Sequence, residues 1–278
     1  MFFAQLKNEL WKLFGKKRTY IGFGAILVVQ TIIILLLKLT KWQNDVSRLL
    51  STNGYIPDDF ISALTAAFTM MLPQVLLILP LYVTLVGGDF VAKEYEDGTL
   101  RMILSRPISR IRLLITKWLA GVIFSIVLVV TLGTVALLFS RMLFPWKGML
   151  VFVPGMAFNV LSADGGLARY ALAHCFLMVN SSVMMSIAFM FSCFNMKPAA
   201  ATILALSFLF VSFVLEQIPF FDRFDDWFIT RHFRCWILVF DDPIQQARVV
   251  ESELILVAVV ATAVIIGCTA FHVRDIKS

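Results

Sequence analysis

Charge is the first shortage. Only 15% of the 278 residues are Asp, Glu, Lys or Arg, against about 25% in an average soluble domain. An ordinary soluble globular domain, which needs a polar shell around its core, is thereby excluded. Histidine is scarcer still, with three residues. His174 and His232 match no metal-ligand spacing and are read as structural. The four cysteines, Cys175, Cys193, Cys235 and Cys268, fit neither a zinc box nor a disulfide framework. They are read as buried structural thiols. The chain has no G-x-x-x-x-G-K-[ST] phosphate loop, and its longest polar interval, about 35 residues, leaves no room for a nucleotide-binding domain. No nucleophile–base pair, paired-carboxylate site or metal box marks a membrane-embedded enzyme. Ionisable residues are almost missing from the middle of the apolar runs, which argues against a proton-coupled carrier.

Apolar sequence is what remains. Hydrophobic residues make up 60% of the chain and mean hydropathy is +0.87. A bilayer core of about 30 Å needs about 20 apolar residues per helix. Six runs qualify: 20–39, 62–88, 113–140, 170–194, 199–218 and 253–272. The expected fold is an all-α polytopic membrane protein, a single domain over 1–278. Residues 149–161 are apolar but too short to span, and Pro154-Gly155 interrupts them. They are read as an interfacial or re-entrant segment. The amphipathic start followed by a full-length span is unlike a cleaved signal peptide.

Basic residues set the orientation. With the N-terminus cytoplasmic, 14 of the 24 Lys and Arg fall inside, but only 6 of the 18 Asp and Glu. The balance, +8 inside against −2 outside, predicts that both termini are cytoplasmic. The net charge of +6 then follows from topology and gives no case for nucleic-acid binding.

Residues 1–18 begin MFFAQLKNELWKLFGKK. Phe2, Phe3, Leu6, Leu10, Leu13 and Phe14 recur at helical spacing, with Lys7, Glu9 and Lys12 on the other face. This predicts a basic amphipathic elbow helix at the membrane interface, either a lipid anchor or an elbow that also contacts a partner.

Residues 92–110, AKEYEDGTLRMILSRPISR, form a charged island between two spans. Thr99 suits an N-cap. Leu100, Ile103 and Leu104 share one face of a short helix. Pro107 ends it, and Ser109 is placed to cap the third span. Glu94 belongs to a charged entry from the second span. Such a helix either rests on lipid headgroups or transmits a push to two spans.

The stretch EYEDGTLRMILSRPISRIRLLITKWLAG, residues 94–121, resembles the signature region of ABC type-2 exporter permeases. The matching residues are Glu94, Gly98, Thr99, Leu100, Leu104, Pro107, Ser109, Arg110, Lys117 and Gly121. The elbow, six spans, aromatic loop and basic tail extend the resemblance over the whole chain. It looks closest to a broad branch linked to drug or bacteriocin export and multicopper-enzyme maturation. The resemblance implies a transmembrane subunit without catalysis of its own, in a bacterial or archaeal cytoplasmic membrane. Its coupling helix would seat in a separate ATPase subunit, present in two copies, with Glu94, Thr99, Leu100, Ile103, Leu104, Arg106 and Pro107 at the contact. ATP and Mg would be bound by that partner, and no cofactor by this chain. Six spans imply a second permease subunit, identical or related. The implied task is export or membrane extraction of a hydrophobic or amphipathic compound or peptide. The alternative is a non-transporting partner doing mechanical work in protein maturation.

Few residues mark a substrate path. Pro73 and Pro80, seven apart, would share nearly one face of the second span and bend it. Asn180, Ser181 and Ser182 are the polar cluster best placed for substrate contact, although such groups more often bond helix to helix. Residues 216–252 interleave aromatics with Asp and Arg, and aromatic rings favour the membrane interface. They are expected to form one or two short helices dipping into the outer leaflet. The resembled family has its external gate here, which points to Trp227, Phe228 and Trp236.

Overall fold

The computed structural model describes residues 2–105 and 109–273, the side chains of Arg101, Leu104 and Asp222 excepted. Arg106 and Pro107 of the expected ATPase contact, and the basic tail from Arg274, lie outside the described residues.

The apolar runs become helices. The chain begins with α1 (Phe2–Phe14), α2 (Thr19–Leu39) and α3 (Trp42–Thr52). The second span is α4 (Ala63–Pro73), a π-helical turn (Gln74–Ile78) and α5 (Leu79–Glu96). A six-residue α6 (Thr99–Leu104) leads to α7 (Arg110–Leu143). After a β-hairpin come α8 (Ala163–Ser192), α9 (Pro198–Glu216), two single turns α10 (Ile229–His232) and α11 (Cys235–Leu238), and α12 (Gln246–Val273). Six helical stretches are long and apolar enough to cross a membrane: α2, α4–α5, α7, α8, α9 and α12. The chain is therefore an all-α polytopic membrane protein, as composition required.

Two elements differ from expectation. Residues 149–161 form an antiparallel hairpin, β1 (Met149–Val153) and β2 (Ala157–Leu161), with Met149 opposite Leu161 and Val153 opposite Ala157. Gly155 turns it at φ +72°, a conformation that costs little only without a Cβ. A two-stranded hairpin satisfies every second backbone group within itself, so this short apolar run needs no helix. The second difference lies in the proline-bearing span. Pro73 lacks an amide hydrogen, so the helix resumes only after Gln74–Ile78, where the Leu79 amide reaches back five residues to the Gln74 carbonyl. The Gln74 amide bonds Met71 instead of Met70, and the Gln74 side chain donates to the Met70 carbonyl thus freed, at 3.0 Å. A π turn advances less per residue than an α turn, so Pro73 and Pro80 part by about a quarter turn and do not share a face.

Helix α8 is the centre of the bundle, touching α5, α7, α9 and α12. Its inner face buries Tyr170, Ala173, Leu177, Met184, Met185 and Ala188. Gly87 and Gly88 let α5 approach closely: a Cβ on Gly87 would lie 2.7 Å from the Ala188 Cβ, and one on Gly88 would lie 3.0 Å from the Thr202 backbone nitrogen. Small residues at crossings are how membrane helices gain dispersion contact. Helices α2, α9 and α12 show long exposed apolar faces, including Ile32, Phe210 and Leu254.

The expected helices of 216–252 are present as a 3-10 stretch (Pro219–Trp227), α10 and α11. Phe68 of α4 packs edge-on against Phe240 at 5.1 Å and tilted against Trp236 at 6.1 Å. This aromatic layer closes the end of the bundle opposite the termini.

Candidate functional site

At the end bearing the N-terminus, three helices converge on one charged knot. Lys117 stands two turns into α7. That helix has 34 residues, about 50 Å, so its first turns extend beyond a bilayer core of about 30 Å. The Lys117 side chain is 1% exposed. Its Nζ lies 2.9 Å from Glu9 Oε2 of α1 and 2.6 Å from Glu94 Oε1 of α5. Lys12, one turn after Glu9, adds contacts of 2.7 Å to Glu9 and 3.3 Å to Glu94. Burial alone would raise the Glu9 carboxyl, but Lys117 and Lys12 hold it below its ordinary range. Burial pulls the Lys12 ammonium down, and Glu9 with Glu94 overcomes this and raises it.

The knot fixes the elbow. Leu13 is buried and the Phe14 ring meets Phe124 of α7 at 6.1 Å. The apolar face of α1 is thus largely spent on the bundle, leaving Phe3 and Trp11 exposed. Beyond it, Arg18 pairs with Asp89, and the Tyr82 hydroxyl contacts the Arg18 and Thr19 carbonyls at 2.6 and 2.7 Å.

Helix α6 hangs from the same region, five residues past Glu94. Gly98, at φ +71°, makes the turn. The Thr99 hydroxyl donates to the Glu94 carbonyl at 3.2 Å. Leu100 faces inward, 1% exposed, among Val91, Leu113, Leu114, Phe189, Cys193 and Phe271. Ile103 packs beside this cluster, and Met102 points outward, 66% exposed. Ser109 caps α7, accepting from the Arg112 amide at 3.4 Å. The Ser192 hydroxyl accepts from the Val91 and Ala92 amides, each at 2.9 Å. α6 therefore packs on α5, and its Leu100 shares one buried cluster with residues of α7, α8 and α12.

The other singled-out residues lie elsewhere. Asn180 donates to the Phe233 carbonyl at 2.8 Å, fastening the α10–α11 turn to α8. Ser181 and Ser182 both donate to the Met178 carbonyl, at 2.9 and 2.7 Å. In the aromatic segment Trp236 is buried, Phe228 half-buried and Trp227 exposed. His174 packs over Gly133 with Nδ1 2.8 Å from the Tyr170 carbonyl, and His232 bridges Ser252 and the Asp226 carbonyl. Cys193 and Cys235 are buried and Cys268 half-buried, whereas Cys175 is exposed on α8, contrary to the expectation for all four. Among the described residues no group of His, Cys, Asp and Glu could hold a metal ion.

Sequence reasoning missed the knot. In the sequence Lys117 stands only among the residues that carry the resemblance, yet a lysine inside an apolar run is expensive unless it is paired. That cost was the available signal. Its partners sit 108 and 23 residues away, too remote for spacing rules.

Six spans around a buried core, with an elbow and a short interhelical helix joined at one end, define a multi-pass membrane protein. Residues 11–221 match the family described as ABC-2 family transporter protein, and the chain belongs to that family. Its members are transmembrane subunits that associate with an ABC ATPase. No curated protein matches the chain.

Proposed function

We propose that the chain is the permease subunit through which a separate ATPase drives export or membrane extraction of a hydrophobic or amphipathic substrate. The observation that carries this reading is the attachment of α6. A load applied there passes through Leu100 into α5, α7, α8 and α12, and through Glu94 into the elbow. The ATPase contact includes the outward face of α6, with Met102 at its centre, and Leu100 anchors the helix behind it. The charge balance favours cytoplasmic termini, so α6 faces the cytoplasm of a bacterial or archaeal cell. Two ATPase copies and a second permease subunit, identical or related, complete the transporter, with ATP and Mg bound by the ATPase.

The test uses vesicles reconstituted with the permease and its ATPase. Substrate-stimulated ATP hydrolysis together with accumulation of the substrate across the membrane is the expected result. Hydrolysis with no movement of any substrate would replace the reading with a mechanical partner in protein maturation.

A further inference from the structure

A small cleft of about 40 Å³ opens between the elbow and the second span, against the charged knot. Its charges nearly cancel in pairs. Lys12 and Lys117 face Glu9 and Glu94, and Arg18 pairs with Asp89. Lys16 is left over: it lines the cleft, and its ammonium has no hydrogen bond or ion pair among the described residues. Burial, and next to it the Arg18 charge, push the Lys16 ammonium below its ordinary value against the weaker opposing pull of Asp89 and Glu94. An anion beside it offsets both that burial and that repulsion. Leu13, Leu85, Val86 and Phe90 supply the apolar part of the cleft's lining, and Leu85 continues outward through Leu81, one turn away on α5 and 55% exposed. On the facing start of α2, Tyr20 and Ile21 are exposed as well. A cation at the mouth and an open apolar track below it match one kind of molecule, a phosphate head carrying acyl chains. Free phosphate would leave the track unused.

We propose that this cleft binds one anionic phospholipid per protomer, with its phosphate on Lys16 and an acyl chain along Leu85 and Leu81. The bound lipid then wedges between α1 and α5, beside the residues that tie the elbow to α6.

The permease is purified alone from nanodiscs containing phosphatidylglycerol and phosphatidylcholine, and native mass spectrometry reads the retained lipid. No ATPase is present, so the outcome does not depend on the transport reading. Wild type is expected to retain one phosphatidylglycerol, with Lys16→Gln lowering its retention about fivefold, the effect of one basic residue at an anionic surface. Leu85→Trp fills the track and is expected to lower retention with all lysines intact. Lys7→Gln removes the same charge from the exposed side of α1 and is expected to change nothing. Equal loss in Lys7→Gln and Lys16→Gln overturns the site in favour of general charge attraction. Equal retention of phosphatidylcholine overturns it too, as does displacement of the lipid by millimolar inorganic phosphate.

Discussion

Lys117 shows how far a single side chain can depend on its neighbours. Removing one partner of a buried ion pair leaves the other charge uncompensated, at a cost of about 3–5 kcal/mol. Lys117→Met leaves Glu9 and Glu94 sharing Lys12, whose side chain is half-exposed, as their remaining counter-charge. We expect that variant to lose its sharp thermal transition in detergent. Lys12→Met, whose side chain is 45% exposed, is expected to cost about 1 kcal/mol or less. Equal melting temperatures for the two variants would contradict the ranking. Gly88 is the second residue on which much rests. Gly88→Ala pushes a methyl against the Thr202 hydroxyl and backbone. Overpacking of this kind costs about 1–3 kcal/mol, so the α5–α9 contact is expected to loosen, read as faster hydrogen exchange in both helices.

Elements differed in how openly the sequence declared them. The spans were legible because about 20 apolar residues in a row have few other uses. The cap at Ser109 was legible because capping is local chemistry. The hairpin at 149–161 was not, since a short apolar run with Pro-Gly at its middle suits a turn of strand as well as a broken helix. The inward set of Leu100 escaped because a stripe at i, i+3 and i+4 fixes which residues share a face, but not what that face meets. The elbow's docking escaped for the same reason, and it carries a pH dependence. Glu9 is held below its ordinary value of 4.5, so its contribution is complete above that pH. It is lost as the pH falls through the lower value it has when folded. Protection of residues 2–14 from hydrogen exchange is expected to be steady from neutrality down to about pH 5 and to fall in stronger acid. Lys12 is raised above 10.5, so its share is complete below that pH and is lost only as the pH rises past its folded value.

At the scale of the whole molecule, the proposed ATPase contact and the internal anchor are two sides of one short helix, and two substitutions separate them. Met102→Asp alters only an exposed side chain and is expected to weaken co-purification of the ATPase, leaving the permease's own melting unchanged. Leu100→Asp buries a carboxylate without a partner and is expected to lower the permease melting temperature even when the ATPase is left out. Were Met102→Asp to leave the complex intact and its ATP hydrolysis normal, the outward face of α6 would not be the contact.

The π turn at Gln74–Ile78 sets the phase of the second span. Above it, Phe68 must aim at Trp236 and Phe240; below it, Gly87 and Gly88 must aim at α8 and α9. Deleting one residue from the turn would rotate one half against the other by about 100°, like a screw thread cut out of step. Only one of the two seats could then be filled. The length of those five residues is therefore under tighter constraint than their identity, and insertions or deletions there will be far less tolerated than substitutions such as Leu76→Ile.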